Sequence, residues 1–286
     1  MNYTVMLGEI ICEDLKKEQL TELKKFLESA FKYLNHVFPK SLKVKTILRK
    51  EDFQGVFDNS VAAFLYYRIL KMLIYPVQIR VGLGEGKFYP EEINSADVEG
   101  PAHFNAHRAL SLSENKNRNI TYISFNKSDK YLNSLLESLD YLEKKNTISN
   151  NLIKLMAELY FPIFKRSSMD FFEYQEEKNL LKTLEYKEKF YNWLIETDPS
   201  IKGTYPDAKK FRLPKLDDCE IYDYEDLYGK EKSEVIDCYW KRGFSTKIAN
   251  SLNNTSRQNV DKHLEYGIIL QRNLEGGICL FLAEKK

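Results

Sequence analysis

The sequence predicts an α+β fold in three parts, and three observations support this prediction. Residues 3–125 alternate short apolar runs with amphipathic segments of helical spacing. Residues 128–197 repeat leucines at helical spacing. The last part of the chain contains two capped helical segments that are separated by a tight turn. We therefore predict a sheet domain at 1–127, a helical extension and linker at 128–230, and a winged helix-turn-helix at 231–286.

The first domain is predicted element by element from apolar periodicity. Short apolar or alternating runs indicate strands at Tyr3–Ile11, Leu42–Leu48, Phe53–Phe57 and Gln78–Phe88. Helical spacing indicates helices at Glu18–Val37 and Val61–Ile74, and Asn59-Ser60 is a typical N-cap. This βαββαβ order is that of a ferredoxin-like domain. A further helix, Pro101–Leu112, and a further strand, Ile120–Phe125, extend it.

Composition limits the function. A formal net charge of +1 excludes a protein that binds polyanions through its whole surface, so any nucleic-acid contact must come from a local patch. The four scattered cysteines favour free thiols over disulfides or a zinc site. The first residues lack the features of a signal peptide, and no apolar run approaches the ~20 residues of a membrane span. We expect a cytoplasmic protein without a membrane partner.

The C-terminal part carries the clearest functional pattern. A first helix is expected near Val235–Trp240, a second at Ser245–Leu252, and a third, capped by Ser256, through about Tyr266. Two runs joined by Glu275-Gly276-Gly277, Ile268–Leu270 and Ile278–Leu282, are expected to form a hairpin wing. The outer face of the third helix carries polar side chains that suit DNA: Ser256, Arg257, Gln258, Asn259 and Lys262.

The assignment of this face to DNA has one alternative interpretation and one weakness. A small helical domain that makes only protein contacts would show the same core pattern. Asp261 and Glu265 interrupt the basic face, so one copy would bind DNA modestly and a homodimer would bind it better. DNA is therefore the partner that we expect, through one or two copies of the chain.

Three short segments of the first domain have chemical interest. Glu9 ends the first strand, and Glu51 and Asp52 lie at the hairpin of the next two strands. In a ferredoxin-like sheet these points are neighbours, and paired carboxylates there suit a two-metal phosphoryl-transfer site. Gly82, Gly84 and Gly86 would let backbone approach a phosphate, or would simply form a twisted strand and a turn. His103 and His107 have i, i+4 spacing, and we expect them on a packed or solvated helix face.

These segments resemble the SatD family, small bacterial proteins whose core is similar to class III nucleotide cyclases. The resemblance covers about residues 3–125 and rests on Gly8-Glu9-Ile10, Phe53-Gln54-Gly55 and the helix start Gly100-Pro101-Ala102 through Arg108. A C-terminal helix-turn-helix also suits that family. The chain departs from the family pattern at three points: it has Glu9 where the family has Asp, Lys50 where it has Gly, and Glu51-Asp52 in swapped order. Asn105 also lies three residues before Arg108, where cyclases have four.

The resemblance implies two alternative functions. In the first, the protein is a transcriptional or stress-response regulator that binds DNA, and its cyclase-like domain is degenerate and serves in sensing or assembly. In the second, it is a nucleotide cyclase or related enzyme that uses Mg²⁺ or Mn²⁺. The second implies metal ligands at Glu9, Glu51 and Asp52, nucleotide contacts at Gly84, Gly86 and Arg108, and a catalytic role for Arg108. A protein-interaction scaffold is a third reading.

Overall fold

The computed structural model describes residues 2–11, 17–49, 51–87, 100–197, 205–223, 243–253 and 255–284. Its main sheet has five strands in the order β2-β3-β1-β4-β5. Strand β1 is antiparallel to β3 and β4, β2 is antiparallel to β3, and β5 is parallel to β4. The strand bounds are β1 Asn2–Ile11, β2 Leu42–Arg49, β3 Asp52–Phe57, β4 Gln78–Lys87 and β5 Ile120–Ile123, and a parallel pair is formed by β6 Ile163–Phe164 and β7 Tyr222–Asp223.

Helices surround this sheet and form most of the remaining described chain. Their bounds are α1 Lys17–Val37, α2 Ser60–Ile74, α3 Pro101–Asn115, α4 Asp129–Glu143, α5 Ile148–Tyr160, α6 Phe171–Tyr174, α7 Glu177–Thr197, α8 Phe244–Leu252, α9 Arg257–His263 and α10 Ile269–Glu284. One π-helical turn, Leu264–Ile268, joins α9 to α10. The mixed α+β composition and the predicted strand-helix order of residues 2–123 are both observed. Within the described residues, no helix is long and apolar enough to cross a membrane.

The sheet is buried on both faces, which explains the continuous apolar run of β1. On one face, Met6 and Ile10 pack in the main core with residues of α1 and α2. On the other face, Val5, Leu7 and Val56 pack against Ala102 and Ala106 of α3. A strand that is covered on both faces needs apolar side chains at successive positions, not only at alternate ones.

Helix α3 lies unusually close to β4 because glycines face it. A Cβ atom added to Gly84 would lie 2.0 Å from the backbone nitrogen of Ala106 and 2.4 Å from the carbonyl oxygen of Ala102. A Cβ at Gly82 would lie 2.2 Å from the carbonyl oxygen of Ala106. Only glycine permits this helix-strand distance. The position of α3 across the sheet is therefore fixed by the β4 glycines.

A buried ion network joins α10 to the helices beneath the sheet. Glu158 of α5 accepts hydrogen bonds from Arg68 of α2 and from Arg272 of α10. Arg68 also donates to Glu275 of α10, and the ammonium nitrogen of Lys154 lies 2.6 Å from Glu275 Oε1. Each of these side chains is almost fully buried. Buried charges of this kind persist only when they are paired.

The predicted hairpin wing is wrong. The segments Ile268–Leu270 and Ile278–Leu282 belong to the π turn and to the single helix α10, and Gly276 and Gly277 lie inside that helix. The Gly-Gly pair was interpreted as a turn, although tertiary packing outweighs the cost of about 1 kcal/mol per helical glycine. Arg272 and Glu275 have i, i+3 spacing, and α10 buries both against α2 and α5.

Two further predictions fall partly or wholly outside the described residues. The helix expected near Val235–Trp240 lies outside them. The expected linker is described at 205–223, where Tyr205, Phe211 and Tyr222 are buried, so that stretch packs against the helices. Cys219 and Cys279 are free thiols.

Candidate functional site

A row of three charged residues crosses the sheet at one end. Glu9 of β1 is the direct cross-strand partner of Asp52 in β3 and of Arg80 in β4. Directly opposed residues of antiparallel strands project from the same face, so the three side chains share one surface. Arg80 Nη1 donates a hydrogen bond to Glu9 Oε1. The predicted proximity of Glu9 and Asp52 is observed, and Arg80, to which the sequence patterns assigned no role, is paired with Glu9.

Glu9 and Asp52 line a cleft of about 460 Å³ between the sheet and one side of α3. His103 and His107 of α3 form the opposite wall, with ring centroids 6.3 Å apart. Glu114 lies two helical turns further along the same side. The histidines therefore face the carboxylates across the cleft. Their i, i+4 spacing was visible in the sequence, but the side of α3 that they occupy was not.

The third predicted acid does not join this group. Glu51 lies in the turn between β2 and β3, is exposed, and contributes its carbonyl oxygen to a hydrogen bond from the Ile10 backbone nitrogen at 2.9 Å. It is not among the residues that line the cleft. Of the three predicted metal ligands, the structure brings together Glu9 and Asp52.

This donor set does not fit Mg²⁺ or Mn²⁺. Mg²⁺ requires near-octahedral oxygen coordination, usually through one or two carboxylates together with water or substrate phosphates. A carboxylate that is paired with a guanidinium would have to give up that ion pair to bind the metal. Here the Arg80 guanidinium already occupies one side of Glu9. In the described part of the chain, no three or more His, Cys, Asp or Glu side chains converge as a metal site does.

The predicted nucleotide contacts lie elsewhere. Gly84 is buried against the α3 backbone, so a phosphate on that face of β4 would have to displace the helix. A Cβ at Gly86 would lie 2.9 Å from the backbone nitrogen of Ala102, at the start of the same helix. Arg108 is exposed, with its guanidinium carbon 5.4 Å from the ring centroid of Phe125, and it does not line the cleft. We leave these three residues out of the candidate site.

A second candidate surface is formed by α8, the following turn and α9. Asn253 ends α8 with φ +59°, and Ser256 caps α9 by accepting from the backbone nitrogen of Asn259 at 3.2 Å. The apolar residues predicted to join the two helices are buried: Ile248, Leu252, Val260 and Leu264. The short turn and this shared core fix the orientation of α9 relative to α8.

The outer face of α9 is exposed at every position that the sequence assigned to DNA. These positions are Ser256, Arg257, Gln258, Asn259 and Lys262. Arg257 Nε lies 3.6 Å from Asp261 Oδ2, so one carboxylate accompanies this arginine. Asp261 is also held by a hydrogen bond from the Ser245 hydroxyl of α8. The face is polar and accessible, with one internal ion pair.

Comparison with known protein families identifies a relationship for most of the chain. The sequence model of the SatD family matches residues 3–192, which includes the sheet, the cleft and most of α7. The residues of α8, α9 and α10 follow the matched region. No curated protein and no solved structure matches the chain.

Proposed function

Because the chain belongs to the SatD family, we propose that it is a DNA-binding regulator in which α9 contacts DNA and the sheet domain carries a non-catalytic cleft. The observation that carries this proposal is the exposed polar face of α9 on a buried apolar core. The family match supports membership and does not extend to α9, so the DNA contact is argued from these residues alone.

The side chains of α9 have the chemistry that base edges and phosphates require. Arg257 suits the two acceptors of guanine, whereas Gln258 and Asn259 suit adenine. Ser256 and Lys262 suit phosphate oxygens. In a helix-turn-helix, the N-terminal part of the second helix enters the major groove. We assign α8 to the first helix of this motif and α9 to the second.

The same geometry favours two copies over one. The Asp261 carboxylate lies near Arg257 and lowers the positive potential of this face. A homodimer would present two copies of α9 to two half-sites on the DNA, which compensates for the weak binding of each copy alone. DNA binding of this kind also implies a cytoplasmic location.

For the sheet domain we propose a ferredoxin-like, cyclase-like arrangement that has lost catalysis. The strand order β2-β3-β1-β4 with antiparallel neighbours supports the first part. The pairing of Arg80 with Glu9 supports the second, because a guanidinium at this position opposes a metal cation.

The test of DNA binding compares full-length variants with equal charge changes. A fluorescence anisotropy titration with a pool of random-sequence duplexes measures affinity. Arg257→Ala with Lys262→Ala should weaken binding by about tenfold or more. The matched control is Lys178→Ala with Lys182→Ala, two exposed lysines of α7, which should leave affinity unchanged. Equal affinity of the two double variants would remove the proposal. Deleting the C-terminal segment is uninformative, because α10 supplies Arg272 and Glu275 to the buried network.

A second candidate is a metal-dependent phosphoryl-transfer enzyme, and the adjacency of Glu9 and Asp52 in a cleft favours it. Calorimetric titration with Mn²⁺ distinguishes a non-catalytic cleft from a metal-dependent active site. We expect no saturable Mn²⁺ binding by the wild type and measurable binding by Arg80→Gln, which frees Glu9. Mn²⁺ binding by the wild type, with a cyclic product from ATP or GTP that Glu9→Ala abolishes, would instead establish the enzyme.

A further inference from the structure

A second cleft lies between the C-terminal half of α3, strand β5 and α4. It has a volume of about 280 Å³ and shares no lining residue with the cleft of Glu9 and Asp52. Its walls carry three cationic side chains, Lys116, Arg118 and Lys130, and one carboxylate, Glu137. Neither the family match nor the sequence patterns assign a role to this cleft.

The charges of this cleft do not balance. Arg118 Nη2 donates to Glu137, which compensates one cation. No carboxylate of the described chain forms an ion pair with Lys116 or Lys130, although the Lys130 ammonium lies 4.7 Å from the ring centroid of Tyr131. Two positive charges therefore face the cleft without a counter-ion. That excess matches the charge of about −1.5 to −2 that a phosphate monoester carries at pH 7.

One donor of a residue that lines the cleft has spare capacity. Arg118 Nε is buried and has no hydrogen-bond acceptor. The Thr121 hydroxyl, which also lines the cleft, is almost fully buried and is hydrogen-bonded to Ser113 Oγ at 2.7 Å. A buried donor without an acceptor is uncommon in native proteins, and a bound anion is one arrangement that would satisfy it.

We propose that this cleft binds the phosphate group of a small phosphorylated metabolite. Arginine and lysine form strong charge-assisted hydrogen bonds with phosphate oxygens, and Arg118 Nε supplies a directed donor beside the two lysines. The occupant is a small molecule because these donors line a concavity of about 280 Å³, just below the usual range of about 300–1,000 Å³ for ligand pockets. The apolar wall at Leu112 suits the carbon skeleton of the ester.

The experiment is a calorimetric titration of the full chain with inorganic phosphate, ribose 5-phosphate and, as the phosphate-free control, ribose. We expect both phosphates to bind and ribose not to bind. Tighter binding of ribose 5-phosphate identifies an ester as the ligand, and equal binding identifies recognition of phosphate alone. Lys116→Gln with Lys130→Gln should weaken binding by about tenfold or more. Lys178→Gln with Lys182→Gln carries the same charge change on α7 and should have no effect.

Glu137→Gln provides a test in the opposite direction. Removing this carboxylate frees Arg118 for the ligand, so phosphate should bind about three- to tenfold more tightly. A purely structural Arg118–Glu137 pair would give no such gain. The proposal is overturned if neither phosphate saturates the protein, if ribose binds as tightly as ribose 5-phosphate, or if the Lys116 and Lys130 double variant binds like the wild type.

Discussion

Replacing Glu158 with Gln should reveal how strongly the buried network stabilises the protein. The Glu158 carboxylate accepts from Arg68 Nη1 at 2.6 Å, from Arg272, and from the Ile163 backbone nitrogen at 3.0 Å. Gln keeps the shape but removes the charge, and it turns an NH₂ group toward a guanidinium. The hydrogen bond from Arg272 to the Phe161 carbonyl oxygen is left in place, but the charge that faces this guanidinium is lost.

The expected loss follows from removing one partner of a buried ion pair, which costs about 3–5 kcal/mol. Two guanidinium groups depend on Glu158, so we expect the upper part of this range for the free energy of unfolding. Urea denaturation followed by circular dichroism measures it by linear extrapolation. The control is Glu284→Gln, an exposed residue of α10, which should change stability by less than about 0.5 kcal/mol.

A double-mutant cycle and a pH series complete this test. Glu158→Gln with Arg272→Met should cost less than the sum of the single changes, because the two side chains interact directly. Burial alone would raise the pKa of Glu158, but Arg68 and Arg272 hold it below its usual value. Burial would likewise raise the pKa of Glu143, but the positive charges of Lys154 and Lys71 outweigh it and lower that pKa to about 2.

Both carboxylates have folded pKa values below their unfolded values. Their contribution to stability is therefore present above the unfolded pKa of 4.5 and is lost as the pH falls below it, which for Glu143 means toward a pH of about 2. A loss below about 1 kcal/mol for Glu158→Gln at pH 7, matching Glu284→Gln, would refute the reasoning.

Further predictions concern one glycine of β4, one glycine of α10 and a buried lysine of α7. Gly84→Ala should destabilise the fold by about 3 kcal/mol or more, because its Cβ would lie 2.0 Å from the α3 backbone. Gly277→Ala should stabilise the fold by about 0.5–1 kcal/mol, because Gly277 lies in a helix and a Cβ there would meet no atom within 4 Å. Equal changes in the free energy of unfolding for the two variants, measured by urea denaturation, would contradict both predictions. Burial lowers the pKa of Lys187 to about 7, so the unfolded state binds more protons and stability should rise by about 2–3 kcal/mol from pH 7 to 9. Lys187→Met should remove that rise, and a variant that keeps it would show that other groups cause it.

Much of the sheet domain was predictable from local signals. Apolar periodicity located each strand and helix of residues 2–123 within a few residues, and the Asn59 cap is observed with its oxygen accepting from the Ala62 nitrogen at 2.9 Å. The predicted ferredoxin-like sheet placed the first strand beside the hairpin of the next two, so Glu9 and Asp52 were expected to be neighbours, as they are.

The rest depended on tertiary contacts that a single sequence does not display. The side of α3 that bears His103 and His107 is set by how closely the helix approaches the β4 glycines. The pairing of Arg80 with Glu9 depends on strand register. Helix α10 was interpreted as a hairpin because Gly276-Gly277 is typical of turns, whereas its buried charges, such as Arg272, have their partners on distant helices.

The central claim, that α9 contacts DNA phosphates and bases, is tested most directly by the salt dependence of binding. The logarithm of the association constant falls with the logarithm of salt concentration by about 0.9 for each phosphate contact. Measured by anisotropy, the slope of the Arg257→Ala and Lys262→Ala variant should be shallower than that of the wild type by about one unit, because Lys262 is the cation that we assign to a phosphate. Identical slopes for the variant and the wild type would contradict the account.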